Sequence, residues 1–79
     1  MFVAQAERAE VAILFKDQGA RTRISVRTRD GGVDAITLTG RFGGGGHARA
    51  AGATLEVPIG DARDAVLALA SELIGALPR

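Results

Sequence analysis

Gly43-Gly44-Gly45-Gly46-His47-Ala48-Arg49-Ala50-Ala51-Gly52 is the segment of this chain hardest to explain by folding alone. Consecutive glycines bring no side chains to a core, and each costs roughly 0.5–1 kcal/mol relative to alanine inside a regular element. In exchange, glycine offers positive φ and room for another molecule to touch the backbone. Ala48 to Ala51 favours helix by propensity. The stretch therefore reads as a glycine loop running into a helix start, where N–H groups without internal partners and the positive end of the dipole attract an anion. His47, the single histidine of the chain, stands at the mouth of that site. A flexible linker is the competing reading. Linkers, however, commonly mix glycine with serine in polar surroundings, whereas Phe42 precedes this run and an Ala-rich, then strand-like, segment follows it.

Upstream of the run, Asp34 is a plausible N-cap for a short helix in which Ala35, Leu38 and Phe42 share a face; Phe42 would anchor the glycine loop to the core. Asp30-Gly31-Gly32 reads as the turn before it. Thr22 to Arg29 alternates: Thr22, Ile24, Val26 and Thr28 on one face, Arg23, Ser25, Arg27 and Arg29 on the other. Period two makes this a strand with guanidiniums side by side. Such a face is either simply solvated or turned toward an anionic ligand. Val11 to Phe15 is a short apolar run, read as a central strand buried on both faces, with a hairpin turn at Gln18-Gly19-Ala20. Downstream, Ala53 to Val57 alternates as a third strand that Pro58 ends. A last helix starts at Gly60-Asp61, with Asp61 as N-cap and Asp64 adding negative charge near the start. Val66, Leu69, Ala70, Leu73 and Leu77 form its apolar stripe, widened by Leu67 and Ile74. The expected fold is a small α+β domain, with a mixed sheet of about three strands and two to three helices.

Seventy-nine residues make one small domain, which buries about 60% of its unfolded surface and folds with little margin. Residues 1–9 fit no element and read as a tail or linker remnant, leaving 10–79 as the domain. With no cysteine, a disulfide framework and a thiolate metal site are both excluded. No apolar run approaches the ~18–20 residues of a membrane span, and the acidic start lacks the pattern of a signal peptide; a cytoplasmic protein is expected. Net charge is only +1, yet Lys16 to Arg49 holds seven basic side chains against three acids. All but one of the ten basic residues are arginine, whose planar fork suits phosphate. A coding bias toward Arg, Ala and Gly would account for arginine over lysine, though not for the clustering around the glycine run.

Phe42-Gly43-Gly44-Gly45-Gly46-His47, followed by Ala50-Ala51-Gly52, resembles the signature of the C-terminal, DHH-associated substrate-binding domain of DHH-family phosphoesterases, most of all the nanoRNase/pAp-phosphatase and RecJ-like types. Ser25-Val26-Arg27-Thr28 is similar to the S-x-R-S strand upstream in that domain, and the order of elements fits from about Glu10 to Leu77. A related domain closes alanyl-tRNA synthetases, but there the glycine run is typically followed by a basic residue. The resemblance implies that short RNA oligonucleotides, pAp or dinucleotides are held by their phosphates through Arg27, the backbone of Gly43, Gly44, Gly45 and Gly46, His47 and Arg49, with Arg41 a possible helper. It also implies that cleavage belongs to an N-terminal catalytic domain, absent here, whose metals are Mn2+ or Mg2+.

The residues themselves agree with a binding role. A hydrolase needs an activated nucleophile or metal ligands with an open position. This chain has one histidine and no cysteine, and its acids fall at turns, caps and surface, so no catalytic or metal-ligating residues are expected in it. With no Trp or Tyr and three Phe, extended base stacking is not expected either. Beside a phosphoesterase substrate-binding domain stand two other classes: a non-catalytic RNA-binding appendage of an alanyl-tRNA synthetase or editing protein, and a protein-interaction module whose glycine loop is structural.

Overall fold

The structure, a computed structural model, describes residues 2–5, 11–29 and 32–76. Its elements run β1 (Phe2–Gln5), β2 (Val11–Asp17), β3 (Thr22–Thr28), α1 (Ala35–Gly40), β4 (Gly45–Gly46), β5 (Ala50–Leu55) and α2 (Ile59–Gly75). The sheet order is β1-β2-β3-β5-β4, and every neighbouring pair is antiparallel. The domain is α+β as expected, but the sheet is antiparallel throughout rather than mixed. It also has more strands than expected, because Phe2–Gln5 pairs with β2 and the two-residue β4 pairs with β5.

The period-two alternation decides which face is closed. Val11, Ile13 and Phe15 of β2, Thr22, Ile24 and Val26 of β3, and Ala53 and Leu55 of β5 are buried. They join Val33, Ala35 and Leu38 around α1 and Ala62, Val66, Leu69 and Ala70 of α2 in one core. Each large apolar side chain so buried contributes about 1.5–3 kcal/mol. β2 lies inside the sheet, between β1 and β3, but it is not the central strand buried on both faces that its apolar run implies: β3 is the middle strand, and Ala12 and Leu14 on the other face of β2 are only half-buried. The two buried hydroxyls are satisfied: Thr22 Oγ1 donates to the Val57 carbonyl at 3.0 Å, and Thr39 Oγ1 to that of Ala35 at 3.1 Å.

Local signals hold the elements in place. Asp34 caps α1 by accepting from the Ile36 amide at 2.9 Å, as predicted. The β2–β3 turn rests on Gly19, at φ +82°, whose amide donates to Asp17 Oδ1 at 2.8 Å. Pro58, not Asp61, is the N-cap of α2; Asp61 lies in its first turn, where negative charge suits the dipole. Proline is well suited to a helix start because its missing N–H has no partner there anyway. Leu67, Leu73 and Ile74 pack half-buried against the core. The turn expected at Asp30-Gly31 and the helix-ending residues Leu77 and Pro78 lie outside the described residues. Among the described residues, no helix is long and apolar enough to cross a membrane.

The main departure from the sequence reading concerns the segment after the glycines. Ala50-Ala51-Gly52 is not the start of a helix but the first half of β5. It forms a hairpin with β4, in which His47 and Ala50 exchange backbone bonds of 2.7 and 3.2 Å. Alanine propensity yields here to strand pairing, because β5 has β3 on one side and β4 on the other. The helix N-terminus expected to attract an anion is therefore absent.

Candidate functional site

The glycine run is used residue by residue. Gly43 and Gly44 close the chain after α1 as a Schellman-type turn: the Gly44 amide donates to the Thr39 carbonyl at 2.9 Å, the Gly43 amide to that of Gly40 at 3.2 Å, and Gly43 has φ +78°. Gly44 lies so close on β5 that a Cβ there would fall 2.6 Å from that of Ala53. At Gly46, φ is +142°, and a Cβ would sit 2.5 Å from Ala51 Cα. These three glycines are explained by the fold. Gly45 is not: a Cβ there would meet nothing within 4 Å. The expectation that Gly43 to Gly46 all keep free amides is thus corrected. Gly43 and Gly44 use theirs within the fold, and so does His47. Alternation along an antiparallel ladder gives Gly45 the bonded position opposite Gly52 and turns the Gly46 amide outward from the sheet edge.

The open face of the sheet brings the other candidates together. Register places Ala12, Arg27 and Ala50 opposite one another, and likewise Leu14, Ser25, Gly52 and Gly45, and Lys16, Arg23 and Thr54. Directly opposed residues in an antiparallel sheet share a face. His47, bonded opposite Ala50, extends the Arg27 row two strands over, about 10 Å at the usual strand spacing. Its hairpin is fixed: the Ala48 carbonyl accepts from the Ala35 amide at 2.8 Å and from Thr28 Oγ1 at 3.1 Å. Both His47 and Arg27 are exposed, and among the described residues the Arg27 side chain makes no hydrogen bond or ion pair.

A shallow cleft of about 320 Å³ lies on this face, lined among others by Arg23, Ser25, Arg27, Gly45, Gly46 and Gly52. Gly45 and Gly52 face each other there without side chains; the floor is bare backbone at Gly45, whereas the Arg23 guanidinium lies over Gly52. Beside it, Ala12, Leu14, Ser25 and Arg27 line a smaller hollow of about 210 Å³. Together they make a shallow, cationic surface whose lining, among the described residues, holds no Phe, which suits a phosphate backbone better than stacked bases.

Of the predicted site residues, Arg27, Gly45 and Gly46 line the cleft, and His47 stands on the hairpin at the end of the Arg27 row. Gly43 and Gly44 do not line it. Arg49 is half-buried and donates from Nη1 to the Arg29 carbonyl at 2.8 Å, helping to hold the end of β3. Arg41 sits exposed at the C-cap of α1. Arg23, Ser25 and Gly52 also line the cleft; Ser25 and Gly52 belong to the motifs quoted from the sequence, but none of the three is expected there as a contact. Cross-strand register brings them together, and no single-strand pattern reports it. A larger cleft of about 540 Å³ is lined by Phe42, Leu55, Val57 and Ala65 with Glu56 and Asp61; its apolar walls and carboxylates are unsuited to phosphate. Among the described residues no group of three or more His, Asp or Glu side chains that could hold a metal ion converges.

A family model described as the DHHA1 domain matches residues 2–76. The chain belongs to this family, the DHH-associated C-terminal domain of DHH-family phosphoesterases. The match begins within β1, consistent with Phe2–Gln5 forming a strand of the sheet. No curated protein matches the chain.

Proposed function

We propose that this DHHA1 domain holds short, phosphate-bearing RNA, such as an oligonucleotide of a few residues, pAp or a linear dinucleotide, for cleavage by a separate metal-dependent domain of the nanoRNase/pAp-phosphatase type. The observation that carries this is Arg27: an exposed guanidinium, without a partner among the described residues, beside a cleft floored by Gly45 and in one row with His47. Like charges on one strand face gain nothing by folding, and a phosphate gives them a counter-charge. The fork of Arg27 takes phosphate oxygens in pairs, and His47 donates to a second oxygen or a terminal hydroxyl. Gly45, where no side chain stands and nothing lies within 4 Å of an added Cβ, lets the sugar–phosphate chain lie against the sheet. Bond cleavage is left to the other domain, and the contribution here is positioning, which by itself can lower a barrier by several kcal/mol.

Titration of the 79-residue chain with a 5′-phosphorylated RNA dinucleotide, beside a tRNA acceptor stem, tests this. The dinucleotide should bind weakly, and Arg27→Ala and His47→Ala should each weaken it by about tenfold, the loss of one charge-assisted contact, with little change in melting temperature. Binding should fall shallowly with salt, with a log–log slope of about −1 to −3 at ~0.7 per phosphate for single strands. Preference for the acceptor stem would point instead to a synthetase-type appendage, and binding of neither to a protein-interaction module.

A further inference from the structure

The Arg23 side chain is exposed but does not stand straight out from the sheet. It bends over β5, donating from Nη1 to Thr54 Oγ1 at 3.2 Å. Its guanidinium also lies over Gly52, where an added Cβ would stand 2.7 Å from Nη2 and 3.3 Å from Cζ. Gly52 is opposite Ser25 in the ladder, so the Arg23 guanidinium sits over the middle row of the cleft, one row from Arg27. Long side chains of this kind ordinarily keep their rotamer freedom, and fixing one costs up to about 2 kcal/mol. Here the missing side chain at Gly52 provides the space and Thr54 the anchor.

We infer that Arg23 is a second, preplaced phosphate contact, and that Gly52 is a glycine because any side chain would displace it. The cleft then takes a ligand with two anionic groups: one on Arg27 at the His47 end, the other on Arg23 over the Ser25–Gly52 row. These rows lie two residues apart along β3, about 6.6 Å at the usual strand rise, which suits neighbouring phosphates of one short chain. The inference rests on the phosphate-binding reading given above. It adds the number of phosphates recognised and the residue that discriminates between ligands.

The test compares ApA, with one phosphate, and 5′-phosphorylated ApA, with two, by calorimetric titration of the 79-residue chain and its variants. The unmodified protein should prefer the doubly phosphorylated ligand by about tenfold, one charge-assisted contact. Arg23→Ala should erase that preference while leaving ApA affinity unchanged. Gly52→Ala should do the same, and adding Arg23→Ala to it should cost nothing further, because both changes remove one contact. Arg23→Lys should recover only part of the preference, since an ammonium cannot fork. Melting curves identify any variant that has lost its fold, and Arg23→Ala, at an exposed position, keeps the test open if Gly52→Ala unfolds. An unchanged preference in Arg23→Ala overturns the inference and leaves the phosphate-binding reading intact. So does loss of ApA affinity in Gly52→Ala alone, which would mean that the methyl blocks the cleft. If neither ligand binds the unmodified protein, both fall.

Discussion

On one side of β3, Thr22, Ile24 and Val26 are closed beneath the helices; on the other, Arg23, Ser25 and Arg27 stand exposed. The two sets alternate along seven residues, share one backbone, and answer to different demands. Each side chain of the closed face has a packing role or, for Thr22, a hydrogen bond that accounts for it. Among the described residues, the open-face side chains of β3 make one hydrogen bond, Arg23 to Thr54, and otherwise like charges stand side by side at a cost to folding. Folding explains the first face and leaves the second to be explained by what it touches. The glycines divide in the same way: Gly43, Gly44 and Gly46 are needed by the backbone, whereas nothing in the fold requires Gly45.

Substitutions on the two sides should therefore separate stability from binding. The largest effect is expected at Ile24→Ala, in the fully buried core, which should lose about 2–5 kcal/mol, read by denaturant unfolding. Gly44→Ala should follow, since its methyl has no room over Ala53; forcing it in costs about 1–3 kcal/mol. Asp34→Ala removes the α1 cap and should cost about 1 kcal/mol, a drop in Tm of roughly 4–8 °C for a domain of this size. The smallest change in stability, within about 0.5 kcal/mol, is expected at Arg27→Ala and Gly45→Ala, yet these should weaken dinucleotide binding. A Gly45→Ala variant as unstable as Gly44→Ala would erase the distinction within the glycine run.

Much of the closed face is legible in the sequence, because burial imposes a period: Thr22 to Thr28 and Ala53 to Leu55 alternate visibly, and Val66, Leu69 and Ala70 mark the helical stripe. The Asp34 cap is legible for the same local reason. The glycine run misleads because glycine is a weak signal for a helix beginning and a strong one for a helix end, where C′ needs positive φ; Gly43 meets that need. Ala48 to Ala51 misleads because helix propensity is worth tenths of a kcal/mol per residue, less than pairing between two strands. Phe2–Gln5 gives no sign of a strand because its partner, β2, lies elsewhere in the chain. Arg27 and His47 are legible as candidates through the motif they resemble. The Arg23–Gly52–Thr54 contact is not, since it crosses between strands 31 residues apart in sequence.

The most direct test is to map amide chemical-shift changes as a 5′-phosphorylated RNA dinucleotide is titrated into the chain. Changes concentrated at Ser25, Arg27, Gly45, Gly46, His47 and Gly52, with α2 unmoved, are the predicted result. Changes confined to the cleft of Phe42, Leu55 and Ala65, or none at concentrations where a weak phosphate site should fill, would contradict the assignment of the open sheet face as the binding surface.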